Sequence, residues 1–483
     1  MDHLLLPLGA AFVLSSLVLF LLQSDRRDVI LERFHLKKRR ASTSRTPPRS
    51  LSPEKRRRTQ SVSEVADYTT TLPPSRRFAL AEAGLQTTYE EASPNRMLPL
   101  RTSYTEAADD CHTPCGFSVA EIKALGDFPD YAALSGVPLP APYTNFDIQK
   151  AQPRPYRPFR WAYHQTMSLQ KMEPDWWLEL ENTYVERLKE RAQLLAIHGK
   201  AVQQALPGSE LACKELMEIS LQFLCARYPQ YFSLNATKTV FYNAILKTET
   251  DLKQTPPLQV LFQHIPEDFV IMLRDEKTGN YICSAGNICS AIGWNIGTKI
   301  GLGLDEIHTP VPDYKEKMQY SMNRYFAKKP TDKPIQRGSY NIEVDKPLFV
   351  LPGGEEASDR SHQRPDLTVD RCHLRVDWQT LRRLPLSGGV VFNFKALFTP
   401  VTEFRDEPYV PALVLKILNE GKKNLMDYKK SWQIEHVVKP AMEAYHKEQV
   451  EKGLVVSDWE PHTLEESPYF RGWEEKWHRQ QGF

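Results

Sequence analysis

The spacing of apolar residues changes character along this chain, and the changes divide it. Leu4 to Leu22 is a 19-residue run without a charge, long enough at about 1.5 Å per residue to cross the ~30 Å hydrocarbon core of a bilayer. From there to about Pro140 no long period is sustained, and only a short helix from Ser118 to Leu125 is expected. Ser, Thr, Pro and Arg dominate 41–63, a composition that buries too little apolar surface to order itself. Helical spacing follows. Trp177, Leu180, Tyr184, Leu188 and Leu195 share one face and predict a helix from Asp175 to about Leu195. Ala212, Leu216, Ile219 and Phe223 predict a second over 209–227.

The period then shortens. Asp268 to Leu273 and Tyr281 to Cys289 read as strands joined by the turn cluster Asp275 to Asn280. Tyr314, Met318, Met322 and Tyr325 predict an amphipathic helix over 313–328. Arg337 to Val344, His373 to Gln379 and Gly389 to Phe398 are three further strands, and helices over 408–419 and 432–452 precede a Trp-rich end. Two strands, a helical crossover and three strands make an α+β architecture, an antiparallel sheet of five with helices on one face. PAS-like ligand-binding domains have the same order. The predicted division is a transmembrane anchor over 1–24, a disordered basic and Pro-rich tether over 25–140, and a PAS-like body with a C-terminal helical extension over 141–483.

Charge sharpens this division. The net charge of +2 hides 13 Lys/Arg against 4 Asp/Glu between Asp25 and Arg58, a local +9, so the remainder carries −7. Beside an apolar run, such a tract suits an anionic lipid face, and no nucleic-acid partner is expected. Basic residues follow the run and none precedes it, which by the positive-inside tendency gives a single-pass anchor with the N-terminus outside and the body in the cytosol, the endoplasmic reticulum being the default membrane. Seven cysteines in 483 residues are too few for a secreted disulfide framework and agree with a reducing compartment.

Several chemistries lack their motifs. There is no G-x-x-x-x-G-K-[ST], no G-x-S-x-G and no H-E-x-x-H, and Gly301-Leu302-Gly303 continues into Leu304-Asp305 instead of completing a dinucleotide fingerprint. Cys111-His112-Thr113-Pro114-Cys115 is at most half a zinc site. His308, in Leu304-Asp305-Glu306-Ile307-His308-Thr309-Pro310-Val311-Pro312, lies in the crossover, where PAS-like folds hold a flat ligand. Imidazole is a common axial ligand of haem iron. A helix-terminal His capping carbonyls before the Pro-Val-Pro stop is the alternative.

A set of short runs, in order, resembles the haem-dependent oxidative N-demethylase alpha-subunit family. They are Arg157-Pro158-Phe159-Arg160, Thr166-Met167-Ser168-Leu169, Trp177-Leu178-Glu179, Tyr184, Ile307 to Pro312, and Gln379 to Pro385, together spanning about Pro153 to Val401. The resemblance implies a haem b monooxygenase that uses O2 to convert a methylated amine to the dealkylated amine and formaldehyde. Electrons would come from a separate NAD(P)H-dependent flavin/iron–sulfur reductase. It implies His308 as iron ligand and Arg337, Arg382 and Arg383 as partners of the haem propionates, with Trp294 as a pocket wall. Catalytic acid/base residues remain unassigned. Asp377-Trp378 and Gly338-Ser339-Tyr340-Asn341 depart from the family's pattern, which leaves the small-molecule substrate open. A non-catalytic haem or ligand sensor or scaffold at a membrane is the competing reading, and an adaptor working through its basic tether is a third.

Overall fold

The computed structural model describes residues 71–77, 97–164 and 166–483. The expected anchor over 4–22 and the basic tract Asp25 to Arg58 lie outside the described residues. Among the described residues no helix is long and apolar enough to cross a membrane.

One antiparallel sheet organises the body. Its strands are β1 (Gln170–Lys171), β2 (Gln203–Ala205), β6 (Asp268–Arg274), β7 (Tyr281–Asn287), β8 (Ile335–Val344), β9 (Cys372–Arg383) and β10 (Val390–Pro400), in the order β1-β8-β9-β10-β6-β7-β2. The five strands expected from the sequence are its contiguous centre. β1 and β2 extend the two edges, and β3 (Phe232–Leu234), β4 (Val240–Asn243) and β5 (Thr248–Asp251) form a separate small sheet; none of these five was legible as a strand.

Helices cover both faces of the sheet, not one, because successive side chains of a strand point to opposite sides. Phe269, Ile271 and Leu273 of β6 join a core with Leu216 and Leu261, which come from α4 (Glu210–Arg227) and α5 (Pro257–His264). Val270 and Met272 turn the other way, against Ile296, Leu304, Tyr314, Met318 and Met322 of the 290–329 crossover. That crossover contains α6 (Leu304–Ile307), a wide π turn at Tyr314–Met318 and α7 (Gln319–Lys328). At the β8–β9 end, Tyr340, Ile342, Leu374 and Val376 pack on α8 (Val410–Glu420) and α10 (Trp432–Glu451) through Val414, Ile417, Val438 and Met442.

Two expectations are corrected. The helix expected from Asp175 is a single 3-10 turn, Pro174–Trp176, followed by a bend at Trp177 and Leu178 and irregular chain; α3 begins only at Tyr184 and runs to His198. Residues 177–181 are all buried, so this stretch is enclosed on every side and has no solvent face for a helix to present. The tether is also shorter than 25–140. Residues 97–140 belong to the body, with α1 (Val119–Leu125), capped by Ser118 and Glu121, and α2 (Tyr131–Ser135). Cys115, Phe117, Ile122, Phe128 and Tyr131 enter the main core. The Cys115 thiol donates to the carbonyls of Thr71 and Leu384, and burial pushes it up to about 12.

Candidate functional site

His308 ends α6. Its backbone N–H donates to the Leu304 carbonyl at 3.2 Å, and its Nδ1 lies 2.7 Å from the same oxygen. A carbonyl only accepts, so Nδ1 carries the proton and Nε2 of the neutral ring carries the lone pair. The capping reading and the ligand reading therefore coexist, since the capping bond sets the tautomer that an iron ligand requires. Pro310 and Pro312 end the helical run here, as prolines lack the donor to continue it.

The ring is held from behind. Tyr314 stacks on it with centroids 5.1 Å apart and 15° between planes. Tyr314 in turn donates to Asp305 at 2.9 Å, and Gln319 and Asn323 of α7 donate to the same carboxylate at 2.7 and 3.1 Å. Lys299 caps the Ile307 carbonyl at 3.2 Å. Burial pushes the His308 pKa down, the bond to Leu304 opposes it, and the Arg337 and Lys299 charges push the same way as burial. The neutral, metal-binding form is favoured.

The sheet supplies the opposite wall. On the face turned to the crossover, Arg337 of β8 pairs in register with Gln379 of β9, which pairs with Phe394 of β10. Trp294 meets Phe394 edge-on with centroids 6.0 Å apart. Met167, Trp294, Ile307, Val311, Ile335 and Phe392 join this cluster while only partly buried, so an apolar cleft rather than a sealed core lies between crossover and sheet. Arg337 Nε and Gln379 Oε1 are both buried without a hydrogen-bond partner. Burial and the Arg160 charge pull the Arg337 pKa down to about 10.

The structure thus brings together His308, Arg337 and Trp294 but not Arg382 or Arg383. Arg382 emerges on the other sheet face, its guanidinium 4.2 Å from the Trp177 ring centroid. Arg383 is fully buried, and four of its five N–H donors are engaged within the protein. Nε bonds the Lys329 carbonyl at 2.6 Å, Nη1 the Tyr281 hydroxyl and the Gly388 carbonyl at 2.7 Å each, and Nη2 the Phe326 carbonyl at 2.5 Å. No free fork of two donors is left for a propionate. Motif residue Arg157 is likewise structural, clamped on Glu407 by two bonds of 2.8 and 2.6 Å. Sequence reasoning missed Asp305, Tyr314, Gln379 and Arg160. Arg160 and Gln379 stood inside motif runs, but only the fold shows what each faces.

The departures from the expected pattern have packing reasons. A Cβ on Gly338 would sit 2.5 Å from Tyr156 Cε1. Asp377 pairs with Arg375 at 2.9 Å, and Trp378 is buried against the C-terminal helices. Two cavities lie elsewhere, one lined by Phe159, Tyr340 and Ile417, the other by Arg187, Arg191 and Lys395. Neither of the two is lined by an imidazole. In comparison with known families, the model described as haem-dependent oxidative N-demethylase, alpha subunit-like, matches residues 168–439. The match covers more than half of the chain and takes in the crossover, β1 and β8 to β10, with His308, Asp305, Tyr314, Trp294, Arg337 and Gln379. The chain belongs to the haem-dependent oxidative N-demethylase alpha subunit-like family.

Proposed function

We propose that this chain is a haem-dependent oxidoreductase that oxidises the carbon next to nitrogen in a methylated amine, releasing the dealkylated amine and formaldehyde. The observation that carries it is the His308 imidazole, fixed as the Nδ1–H tautomer by the Leu304 carbonyl, with Nε2 making no hydrogen bond among the described residues. The donor set suits haem b: a neutral imidazole for iron, a half-buried guanidinium on the facing strand whose Nε has no acceptor for a propionate, and an apolar aromatic wall for the macrocycle. The strand order β7-β6-β10-β9-β8, with the ligand-facing crossover between β7 and β8, supports the PAS-like reading. Haem bound there would supply O2 activation. His308 would hold the iron, Asp305 and Tyr314 would keep the ring in place, Arg337 would orient the macrocycle, and Trp294 with Phe394 would keep water out.

The chain carries no dinucleotide fingerprint, so electrons are assigned to a separate NAD(P)H-dependent flavin/iron–sulfur reductase. Leu4 to Leu22 is assigned as the membrane anchor, with the body in the cytosol. The test is the absorption spectrum of the full chain expressed with a haem precursor. A Soret band is expected, and its absence refutes the haem assignment. In His308→Ala the band should shift or vanish; an unaltered band removes His308 as ligand. Formaldehyde release from methylated amines with a supplied reductase separates an enzyme from a haem sensor.

A further inference from the structure

The exposed aromatic side chains of this protein are not scattered. Among the described residues they are Tyr320, Tyr428 and Trp432, at 47%, 49% and 62% exposure. Tyr320 lies on α7 of the crossover, and the other two stand at the corner where α9 (Lys423–Tyr428) leads into α10. Asp313 ties crossover and corner together. Its carboxylate accepts from Lys422 Nζ at 2.5 Å and from Asn424 Nδ2 at 3.3 Å, with Lys317 Nζ 3.6 Å away. Tyr314, the next residue, stacks on His308, so this surface adjoins the element that carries the candidate iron ligand.

The corner has an inner and an outer side. Leu425, Met426, Ser431 and Ile434 are buried and pin it to the body, while Lys422, Lys423, Tyr428, Lys430 and Trp432 are exposed. α9 has six residues, about 9 Å of helix at ~1.5 Å per residue, so these side chains crowd one small area. Its charge is one-sided. Residues 422–432 hold four lysines against Asp427 alone, a local +3. Lys422 and Lys423 are paired with Asp313 and Asp427, but Lys430 makes no ion pair among the described residues. The residue types choose between partners. Protein interfaces are enriched in arginine and depleted in lysine, and this stretch has no arginine. Lysine with Tyr and Trp is the composition of a bilayer interface, where the rings sit at headgroup level and the ammonium groups meet anionic lipid.

We propose that the corner formed by Lys422, Lys423, Tyr428, Lys430 and Trp432, with Tyr320 beside it, docks the folded body on an anionic lipid bilayer. The lysines supply the attraction, and the two exposed rings of the corner settle among the headgroups. The surface stands independently of the anchor assigned above to Leu4 to Leu22, and the experiment reads the two apart.

The full chain is reconstituted with vesicles of phosphatidylcholine, alone or mixed with phosphatidylserine, that contain lipid brominated near the headgroup end of its acyl chains. Bromine quenches tryptophan fluorescence only at contact, and comparison with Trp432→Phe isolates the part due to Trp432. Quenching of Trp432 is expected with phosphatidylserine and not with phosphatidylcholine alone, and added salt should reverse it. At about fivefold for each lysine near the surface, the docked-to-free ratio should fall about 25-fold in Lys423→Gln/Lys430→Gln. Both positions are exposed, and this pair spares the Lys422–Asp313 contact. Carbonate extraction reports on the anchor: a chain stripped from the vesicles refutes Leu4 to Leu22 as an anchor, while the fluorescence still decides the surface. Quenching that is absent or equal in the two lipids overturns the proposal and leaves the corner to an acidic protein partner. A lipid-dependent signal that survives in Trp432→Phe or in the double lysine variant overturns it as well.

Discussion

Arg383→Met separates a structural arginine from a ligand-binding one. The guanidinium satisfies the carbonyls of Lys329, Gly388 and Phe326 and the hydroxyl of Tyr281, in a position with 0% exposure. A buried polar group left without a partner costs about 1–3 kcal/mol. Taking the low end for each of the four acceptors gives about 4 kcal/mol. Part of this is offset, because the Arg383 charge is one reason, after burial, that the Lys329 pKa is held down to about 7. Removing it relieves that buried ammonium. The expected loss is about 3–4 kcal/mol, a large share of the ~5–15 kcal/mol that holds a typical protein folded. Urea unfolding followed by tryptophan fluorescence measures the loss, and haemin titration at low temperature without denaturant measures affinity on the folded protein. Stability should fall while affinity stays within twofold. Stability unchanged to within about 1 kcal/mol, with affinity down tenfold or about 1.4 kcal/mol, would refute the assignment.

Arg157→Met leaves Glu407, itself 0% exposed, with Lys476 at 3.0 Å as its remaining cation. A loss of about 3–5 kcal/mol is expected, largely recovered when Glu407→Gln is added, as urea unfolding of the three variants would show. His264 is buried between Asn243 and Thr250, and burial lowers its pKa from 6.5 to about 4. Its folded pKa lies below the unfolded one, so its stabilising contribution is complete above about pH 6.5 and is lost as pH falls toward 4. Wild type should lose about 3 kcal/mol more than His264→Gln across that window, and parallel pH profiles would contradict this. A chain starting at residue 141 lacks Phe117, Ile122, Phe128 and Tyr131 from the core, at about 1.5–3 kcal/mol each. It should be insoluble or proteolysed, whereas a chain starting at 59 should unfold cooperatively; a soluble, cooperative 141–483 fragment would show that these residues are dispensable.

The central strands were legible because their alternation serves two cores at once, as in Phe269, Ile271 and Leu273 against Val270 and Met272. β1 and β2 are two and three residues long, too short for any period to register. Within residues 97–140 only the helix from Ser118 to Leu125 was legible, and it stands at Val119–Leu125; the remaining anchors, among them Phe117, Phe128 and Tyr131, are separated by polar turns that hide a common face. His308 stood out in the sequence from its place in the crossover, and Trp294 from the family resemblance; the Trp294 ring lies edge-on to Phe394 of β10. Arg382 and Arg383 were wrongly grouped, although a period of two already places neighbouring strand residues on opposite sides. The unpaired oxygen of Gln379 could not be found from sequence, since an unpaired buried atom depends on register and on what fails to lie nearby.

The Asp305 carboxylate binds three donors that follow His308 in the chain, Tyr314, Gln319 and Asn323. They join the start of the crossover to its final helix whether or not a ligand is bound. The imidazole is consequently part of a pre-assembled frame, and little rotamer or loop entropy remains to be lost on capture. Ligand exchange would then be governed by entry through the cleft and by bond rupture, without a folding step of the crossover. Weakening the latch by Asp305→Ala would convert the same site from a rigid socket into one that orders only around its guest.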